Sequence, residues 1–229
     1  MTRLSGNNSN NMALLIGTLI AALLIGLALF AVSKKDKTAA GGEGNFNYAS
    51  LPYAGKEDAK VNVVVVEDFK CPACKGFEES VTPQLHSNYV DNGKIKLYSL
   101  VWPFISSQVV PVTPDDSTLA AQGARCVFEQ GGNDAYNRFK PILFRAQGDE
   151  REAWATKDRL KELAGSVEGL DQEKFATCLD TDATLAAVQE DKKAAEAAGV
   201  TGTPTVFVNG KRVESGYAEI SKAIDEALK

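Results

Sequence analysis

The sequence predicts an α/β fold that is interrupted by a block of helices. A run of β-branched residues at 61–66 leads directly into a helix that begins at Pro72. Residues from about 113 to 185 carry helical periodicity instead of strand alternation. The chain then returns to β-rich segments joined by an Asn-Gly turn at 209–210, and it closes with an amphipathic helix over 217–229.

The composition is that of one ordinary globular domain with an appendage. The 229 residues are 44% hydrophobic, with a formal net charge of -5 and a pI near 5.1. Basic residues are scattered along the chain, which argues against a protein that binds nucleic acid. We expect no cofactor and no metal, and residues 46–229 are enough to bury one core.

The N-terminal region predicts a membrane anchor. Residues 12–32 are uncharged and apolar over about the length that crosses a bilayer. This stretch is longer than the apolar core of a cleavable signal peptide, although residues 31–33 weakly resemble a cleavage site. We therefore expect a tail at 1–11, a transmembrane signal anchor at 12–32 and a flexible, Gly-rich tether at 33–45.

Two arguments about the orientation of this anchor disagree. Three lysines follow the span whereas only Arg3 and the α-amine precede it, which favours a cytoplasmic C-terminal domain. The four cysteines favour an extracytoplasmic C-terminal domain, because disulfides persist in oxidising compartments. Large C-terminal domains translocate despite modest flanking charge, so we expect a single-pass cell-membrane protein whose domain is extracytoplasmic.

The first half of the domain predicts two strands and a helix. Residues 46–53 indicate a short edge strand or an extended arm, since Pro52 cannot donate to a central ladder. The run at 61–66 indicates a central strand that is covered on both faces. The helix from Pro72 should bend at Pro83, and a second strand is predicted over 94–102.

Capping residues and glycines divide the rest of the chain into helices. Residues 113–116 look like a capped helix start and Gly131-Gly132 like a stop. Further helix starts are predicted at Asn133, Thr156 and Asp171, followed by an Ala-rich helix over 181–198 that Gly199 closes.

The most informative motif is Cys71-Pro72-Ala73-Cys74. If a helix begins at Pro72, Cys71 lies at the positive end of the helix dipole, which favours a thiolate. Cys71 is therefore the predicted nucleophile, and Cys74, nearly one turn later, is the predicted resolving thiol. Pro72 suits the first helical turn, because a backbone N–H there has no intrahelical acceptor and the N–H that proline lacks costs no hydrogen bond. The same spacing is also half of a zinc site, so the motif alone leaves both readings open.

Two further cysteines lie in the helical block. If Cys71 pairs with Cys74, Cys126 and Cys178 remain to form a structural disulfide. The alternative is two separate buried thiols, because free cysteine packs as a small apolar residue. His86, the only histidine, is interpreted as a solvated helix residue.

The order of these segments resembles the thioredoxin fold with a helical insertion, as in DsbA-type thiol:disulfide oxidoreductases. Two separated motifs carry the resemblance, Phe69-Lys70-Cys71-Pro72-Ala73-Cys74 and Gly202-Thr203-Pro204-Thr205, and it covers residues from about 60 to 229. With the anchor and the second cysteine pair, the chain looks most like the membrane-tethered DsbA-like proteins of actinobacteria.

The resemblance implies a function and a substrate site. It implies a cis peptide bond before Pro204 in a loop with Gly202, and a Thr203 backbone that pairs with an extended substrate chain. It also implies an oxidase of reduced secreted polypeptides and a quinone-linked membrane reoxidant of the DsbB or VKOR kind. A monomer is expected.

Three departures from the family leave the direction of electron flow open. Pro72-Ala73 supply no histidine between the cysteines, Val65 stands where many relatives carry an acidic residue, and Thr203 also occurs in isomerase-type relatives. The alternatives are a reductase or isomerase of the same fold, for example in cytochrome maturation, and a non-enzymatic module whose four cysteines hold zinc.

Overall fold

A computed structural model of the protein describes residues 43–229. The predicted tail and membrane anchor, and most of the predicted tether, lie outside these described residues. Within 43–229, no helix is both long enough and apolar enough to cross a membrane.

One five-stranded sheet forms the centre of the domain, in the order β1-β3-β2-β4-β5. The strands are β1 (Tyr53–Ala54), β2 (Val61–Glu67), β3 (Ile95–Val101), β4 (Thr205–Val208) and β5 (Lys211–Val213). The central strand β2 runs parallel to β3 and antiparallel to β4. The two edge strands are antiparallel to their neighbours.

Seven α-helices surround this sheet in the described residues. They are α1 (Pro72–Ser80), α2 (Thr82–Leu85), α3 (Asp116–Ala146), α4 (Lys157–Ala164), α5 (Gln172–Asp180), α6 (Leu185–Ala197) and α7 (Tyr217–Ala227). A 3-10 turn at Tyr48–Ser50 and two π-helical turns at His86–Val90 and Ile105–Val109 complete the chain.

The central strand is buried on both faces, as its continuous β-branched run predicts. Alternate side chains point to opposite faces, so Val64 and Val66 pack with the helical block while Val63 and Val65 pack with α7 and Phe77 of α1. All four valines are almost fully buried. Because β2 is central, the residues that follow it at its carboxyl end are fixed between two core layers.

The helical block lies between β3 and β4 in the chain. Helix α3 packs against α4, α5 and α6, and α6 also packs against β3 before the chain enters β4. The predicted stop at Gly131-Gly132 is a sharp break inside α3, where Gly132 takes the left-handed φ of 61°. Three of the four predicted helix starts are capped, because Asp115, Thr156 and Asp171 each accept a hydrogen bond from a backbone N–H of the next turn. At the fourth, the Asn133 side chain instead accepts a hydrogen bond from the Tyr53 N–H.

Several predicted boundaries differ from the structure. The segment 46–53 is neither one strand nor one arm, since a 3-10 turn precedes a two-residue edge strand. Helix α6 begins only at Leu185, because Asp182 takes a left-handed φ of 52° and separates α5 from α6. The bend predicted at Pro83 appears as a break between α1, which ends at Ser80, and α2, in whose first turn Pro83 lies; Val81 between them keeps right-handed helical dihedral angles.

Candidate functional site

The dithiol lies in the turn that joins the carboxyl end of β2 to α1. Cys71 is the N-cap residue of α1 and Pro72 occupies the first helical turn, as the sequence predicts. The Cys71 carbonyl accepts hydrogen bonds from the N–H groups of Cys74 and Lys75, at 3.1 and 3.2 Å. The Cys71 N–H donates to the Asp68 carbonyl at 2.9 Å. The Cys71 sulfur is therefore held at the positive end of the helix.

The two thiols differ in ionisation. Both cysteines are reduced, with Cys71 6% exposed and Cys74 1% exposed. A hydrogen bond from the Cys74 thiol is the main cause that lowers the pKa of Cys71 to about 6, against the opposing effect of burial. Burial, and then the hydrogen bond and negative charge of Cys71, raise the pKa of Cys74 well above its ordinary value. Near neutral pH, Cys71 is the thiolate of the pair.

The loop before β4 faces the dithiol. The peptide bond between Thr203 and Pro204 is cis, as the resemblance implies, and the Thr203 carbonyl accepts a hydrogen bond from the Cys71 thiol at 3.5 Å. The Thr205 hydroxyl donates to the Gly202 carbonyl at 2.7 Å and so stabilises the loop. The buried Thr203 hydroxyl has no hydrogen-bond partner among the described residues, and its position near the Cys71 sulfur helps to lower the pKa of Cys71.

The carboxylates of Glu67 and Asp68 lie near the dithiol in sequence, but among the described residues they form hydrogen bonds with the surrounding scaffold and not with the sulfurs. Asp68 is fully buried and accepts hydrogen bonds from the backbone N–H groups of Lys70, Phe104 and Ile105. These bonds offset the burial that raises the pKa of Asp68. Within the described part of the chain, the Asp68 carboxylate makes no hydrogen bond to either thiol. It ties the turn before the dithiol to the segment after β3.

Glu67 belongs to a buried polar network that the sequence does not reveal. Its carboxylate accepts hydrogen bonds from the Ser99 hydroxyl and the Lys140 ammonium, the latter at 3.0 Å. Burial raises the pKa of Glu67. Burial alone would lower the pKa of Lys140, but the charges of Glu67 and Glu78 raise it, so the ammonium stays protonated.

Lys70, the residue before Cys71, is also fully buried. Its ammonium donates to an Asp116 carboxylate oxygen at 2.6 Å and to the Glu152 carbonyl at 2.7 Å. Asp116 also accepts hydrogen bonds from the Ser106 hydroxyl and from the backbone N–H of Trp154, at 2.5 and 2.9 Å. Sequence reasoning treats Lys70 only as part of a motif. A lysine between a buried strand and a helix N-terminus is the one signal that such an anchor exists.

The second cysteine pair lies in the helical block. A disulfide joins Cys126 of α3 to Cys178 of α5 across 52 positions of sequence. This bond occupies two of the four sulfurs that the zinc-module alternative requires, so that alternative is disfavoured. His86 lies 3.5 Å from the Asp91 carboxylate in a partly exposed pair, and among the described contacts it has none with the dithiol.

Comparison with known proteins agrees with this arrangement. A family model described as thioredoxin matches residues 50–226. The chain is 33% identical to a probable disulfide bond formation protein D of Bacillus anthracis, over 95% of this chain and 96% of the relative. It is 31% identical to the disulfide bond formation protein D of Bacillus subtilis, over 78% of this chain and 77% of the relative.

Solved structures show the same likeness. The crystal structure of oxidised BdbD from Bacillus subtilis has a TM-score of 0.72 at 29% identity, covering 83% of this chain and 98% of that one. Oxidised DsbA from Mycobacterium tuberculosis has a TM-score of 0.64 at 27% identity, covering 78% of this chain and 92% of that one. The chain therefore belongs to the DsbA-like disulfide oxidoreductase family of the thioredoxin fold.

Proposed function

We propose that this chain is an extracytoplasmic, membrane-anchored oxidase that donates its Cys71–Cys74 disulfide to reduced secreted or cell-envelope polypeptides. The asymmetry of the two thiols carries the proposal. Cys71 has a lowered pKa at the start of α1, whereas Cys74 is buried with a raised pKa. Such a pair has one sulfur that exchanges with substrate and one that stays inside the protein.

The exchange begins with the oxidised protein. A substrate thiolate attacks the Cys71 sulfur, a substrate–Cys71 disulfide forms, and the Cys71–Cys74 bond breaks. Cys74 leaves with the electron pair and takes up a proton, as its raised pKa favours. A second substrate thiolate then attacks the substrate sulfur of the mixed disulfide and releases Cys71 as a thiolate. The substrate loses two electrons to the dithiol and gains one disulfide.

The pKa of Cys71 favours this forward direction. A thiol with a pKa near 6 is a better leaving group than an ordinary cysteine, so release of the oxidised substrate is fast. Cys74 is almost fully buried and mostly protonated, so it competes poorly for the mixed disulfide. Since Pro72-Ala73 contribute no imidazolium, we expect a weaker oxidant than relatives that carry a histidine there.

The substrate chain is proposed to pair with the backbone of the loop before β4. The loop contributes Gly202, Thr203 and Pro204, and the Thr203 carbonyl already lies 3.5 Å from the Cys71 sulfur. Pro72 and Ala73 are exposed beside it, which leaves room for a polypeptide. Backbone pairing accepts many sequences, as an oxidase of diverse proteins requires.

The proposed setting places a monomeric catalytic domain outside the cell membrane. Its parts are a tail at 1–11, an anchor at 12–32, a tether at 33–45, and a domain at 46–229 with a helical insertion at about 113–185. The apolar stretch at 12–32 and the disulfide between Cys126 and Cys178 support this location. Reoxidation is assigned to a quinone-linked membrane partner of the DsbB or VKOR kind.

A burst assay tests the proposal. Full-length protein in detergent is oxidised, freed of oxidant and mixed with a reduced, unfolded protein that contains two cysteines. We expect one substrate disulfide per enzyme molecule, and none with Cys71→Ser. We also expect the reduction potential of the Cys71–Cys74 couple to lie above the value of about −270 mV that is typical of thioredoxin.

The reductase direction gives the opposite pattern. Fast reduction of insulin without a substrate-oxidation burst, together with a potential at or below that of thioredoxin, would contradict the oxidase assignment. That result would move the chain to the reductase or isomerase branch of its family.

A further inference from the structure

Both ends of the long helix α3 reach the turn between β2 and α1, residues 68–71, which we call the dithiol turn. A straight helix of 31 residues would be about 46 Å long, so its ends could not meet. The break at Gly132 folds α3 back on itself. As a result, Asp116 at its beginning and Gln147 at its C-cap both hydrogen-bond to the three residues that end at Cys71.

Gln147 holds two backbone carbonyls of the dithiol turn. Its side-chain amide nitrogen donates to the Phe69 carbonyl at 2.7 Å and to the Cys71 carbonyl at 3.1 Å. An amide NH₂ has two protons, so these two bonds satisfy it completely. The side chain is half-buried, which reduces competition from water. A single side chain therefore fixes the backbone on both sides of Lys70.

One of the two carbonyls that Gln147 binds belongs to Cys71, the proposed reactive residue. The Cys71 carbonyl already receives the first two N–H groups of the helix ladder, and Gln147 supplies a third donor. With its N–H also bonded to Asp68, the Cys71 backbone has little freedom to rotate. This backbone sets the direction of the Cα–Cβ bond, so only rotation about that bond remains to place the sulfur against the Thr203 carbonyl and the helix start.

We propose that Gln147 is a positioning residue through which the helical insertion holds the Cys71 sulfur in its reactive orientation. This inference rests on the proposed function of the dithiol, and its readout is the ionisation of one thiol. When the Gln147 contacts are lost, the sulfur samples orientations away from the Cys74 thiol and the helix N–H groups. Those orientations stabilise the thiolate less.

The chain offers a matched control on the same helix. Gln130 lies just before the break in α3, and its side-chain amide also makes two hydrogen bonds to backbone groups, in this case the Asp171 carbonyl at 3.2 Å and the Asp171 N–H at 2.6 Å. It is half-buried like Gln147. Replacing either glutamine by methionine keeps the side-chain length and removes two hydrogen bonds to the backbone, but only Gln147 contacts the dithiol turn.

The experiment compares Gln147→Met with Gln130→Met in the reduced full-length protein. The rate of Cys71 alkylation by iodoacetamide is measured from pH 4 to pH 9, beside thermal unfolding. For Gln147→Met we expect the profile to move to higher pH, with alkylation at pH 6 slowed about threefold to tenfold. For Gln130→Met we expect the wild-type profile with a similar loss of thermal stability.

Two results would overturn the inference. One is a wild-type alkylation profile in Gln147→Met, and the other is an equal shift in both variants, which would mean general loosening. Should Gln147→Met fail to fold, Gln147→Asn replaces it, because the shorter amide reaches at most one carbonyl and is expected to give an intermediate shift. Failure of the oxidase assignment appears separately, as a wild-type protein without a burst.

Discussion

The two cysteine pairs of this protein are held in opposite ways. Cys71 and Cys74 are three positions apart at a helix start and reduced, and Cys71 forms hydrogen bonds with residues far along the chain. Cys126 and Cys178 are 52 positions apart and covalently joined between two helices. A reactive pair therefore needs a helix N-terminus and polar neighbours, whereas a structural pair needs sequence separation and packing.

The sharpest way to separate the pairs is to remove one sulfur from the reactive pair. Cys71→Ser is expected to abolish substrate oxidation, because the only sulfur that is proposed to exchange with substrate is gone. Cys74→Ser has no disulfide to donate, but with a substrate that already carries a disulfide its Cys71 thiolate is expected to attack one substrate sulfur, release the other as a thiolate and form a mixed disulfide that is visible on a non-reducing gel. Oxidation by Cys71→Ser at the wild-type rate would assign the chemistry elsewhere.

The next prediction removes the structural pair. Cys126→Ala combined with Cys178→Ala is expected to lower the free energy of unfolding by about 4 kcal/mol, because the cross-link closes a long loop in the unfolded chain. Denaturant unfolding measures this loss. The alkylation rate of Cys71 should stay at the wild-type value, and a lower rate would show that the two pairs are coupled.

A third variant breaks the noncovalent anchor of the dithiol turn. Lys70→Met is expected to cost about 3 kcal/mol, because it leaves the buried Asp116 carboxylate without its cation while the other donors remain. Denaturant unfolding again gives the loss. Unlike removal of the structural disulfide, this variant should also slow Cys71 alkylation near pH 6, and an unchanged rate would contradict the comparison.

A last prediction concerns the pH dependence of stability. The pKa of Cys71 is lowered from an ordinary value near 9 to about 6, so its thiolate stabilises the folded, reduced protein. This contribution is complete above about pH 9 and is lost as the pH falls through 6. We expect the stability difference between reduced wild type and Cys71→Ser to shrink over that window, and a difference independent of pH would contradict the ionisation.

Local sequence signals predict much of this fold. The β-branched run gives the central strand, the Cys-Pro pair gives the helix start, and Asn209-Gly210 gives the hairpin with both residues at positive φ. Helix caps such as Asp171 are equally local. These features depend on neighbours within four residues, which the sequence places in contact.

The contacts that hold the site were not predictable in the same way. Gln147 meets Cys71 across 76 positions, and Lys70 meets Asp116 across 46. Both depend on the fold-back of α3, and nothing in the sequence around Gln147 distinguishes it from a surface glutamine. The dithiol itself is readable as a motif, but the lowered pKa of Cys71 also depends on the Thr203 side chain, which only the folded sheet brings near.

The distance along the chain between Cys71 and Thr203 has a consequence for biosynthesis. The two residues are 132 positions apart, and β4 follows Thr203 near the end of the chain. At roughly 5–20 residues per second, synthesis makes the dithiol many seconds before the loop that helps to ionise it. In the unfinished chain Cys71 therefore lacks the contribution of Thr203 to its lowered pKa.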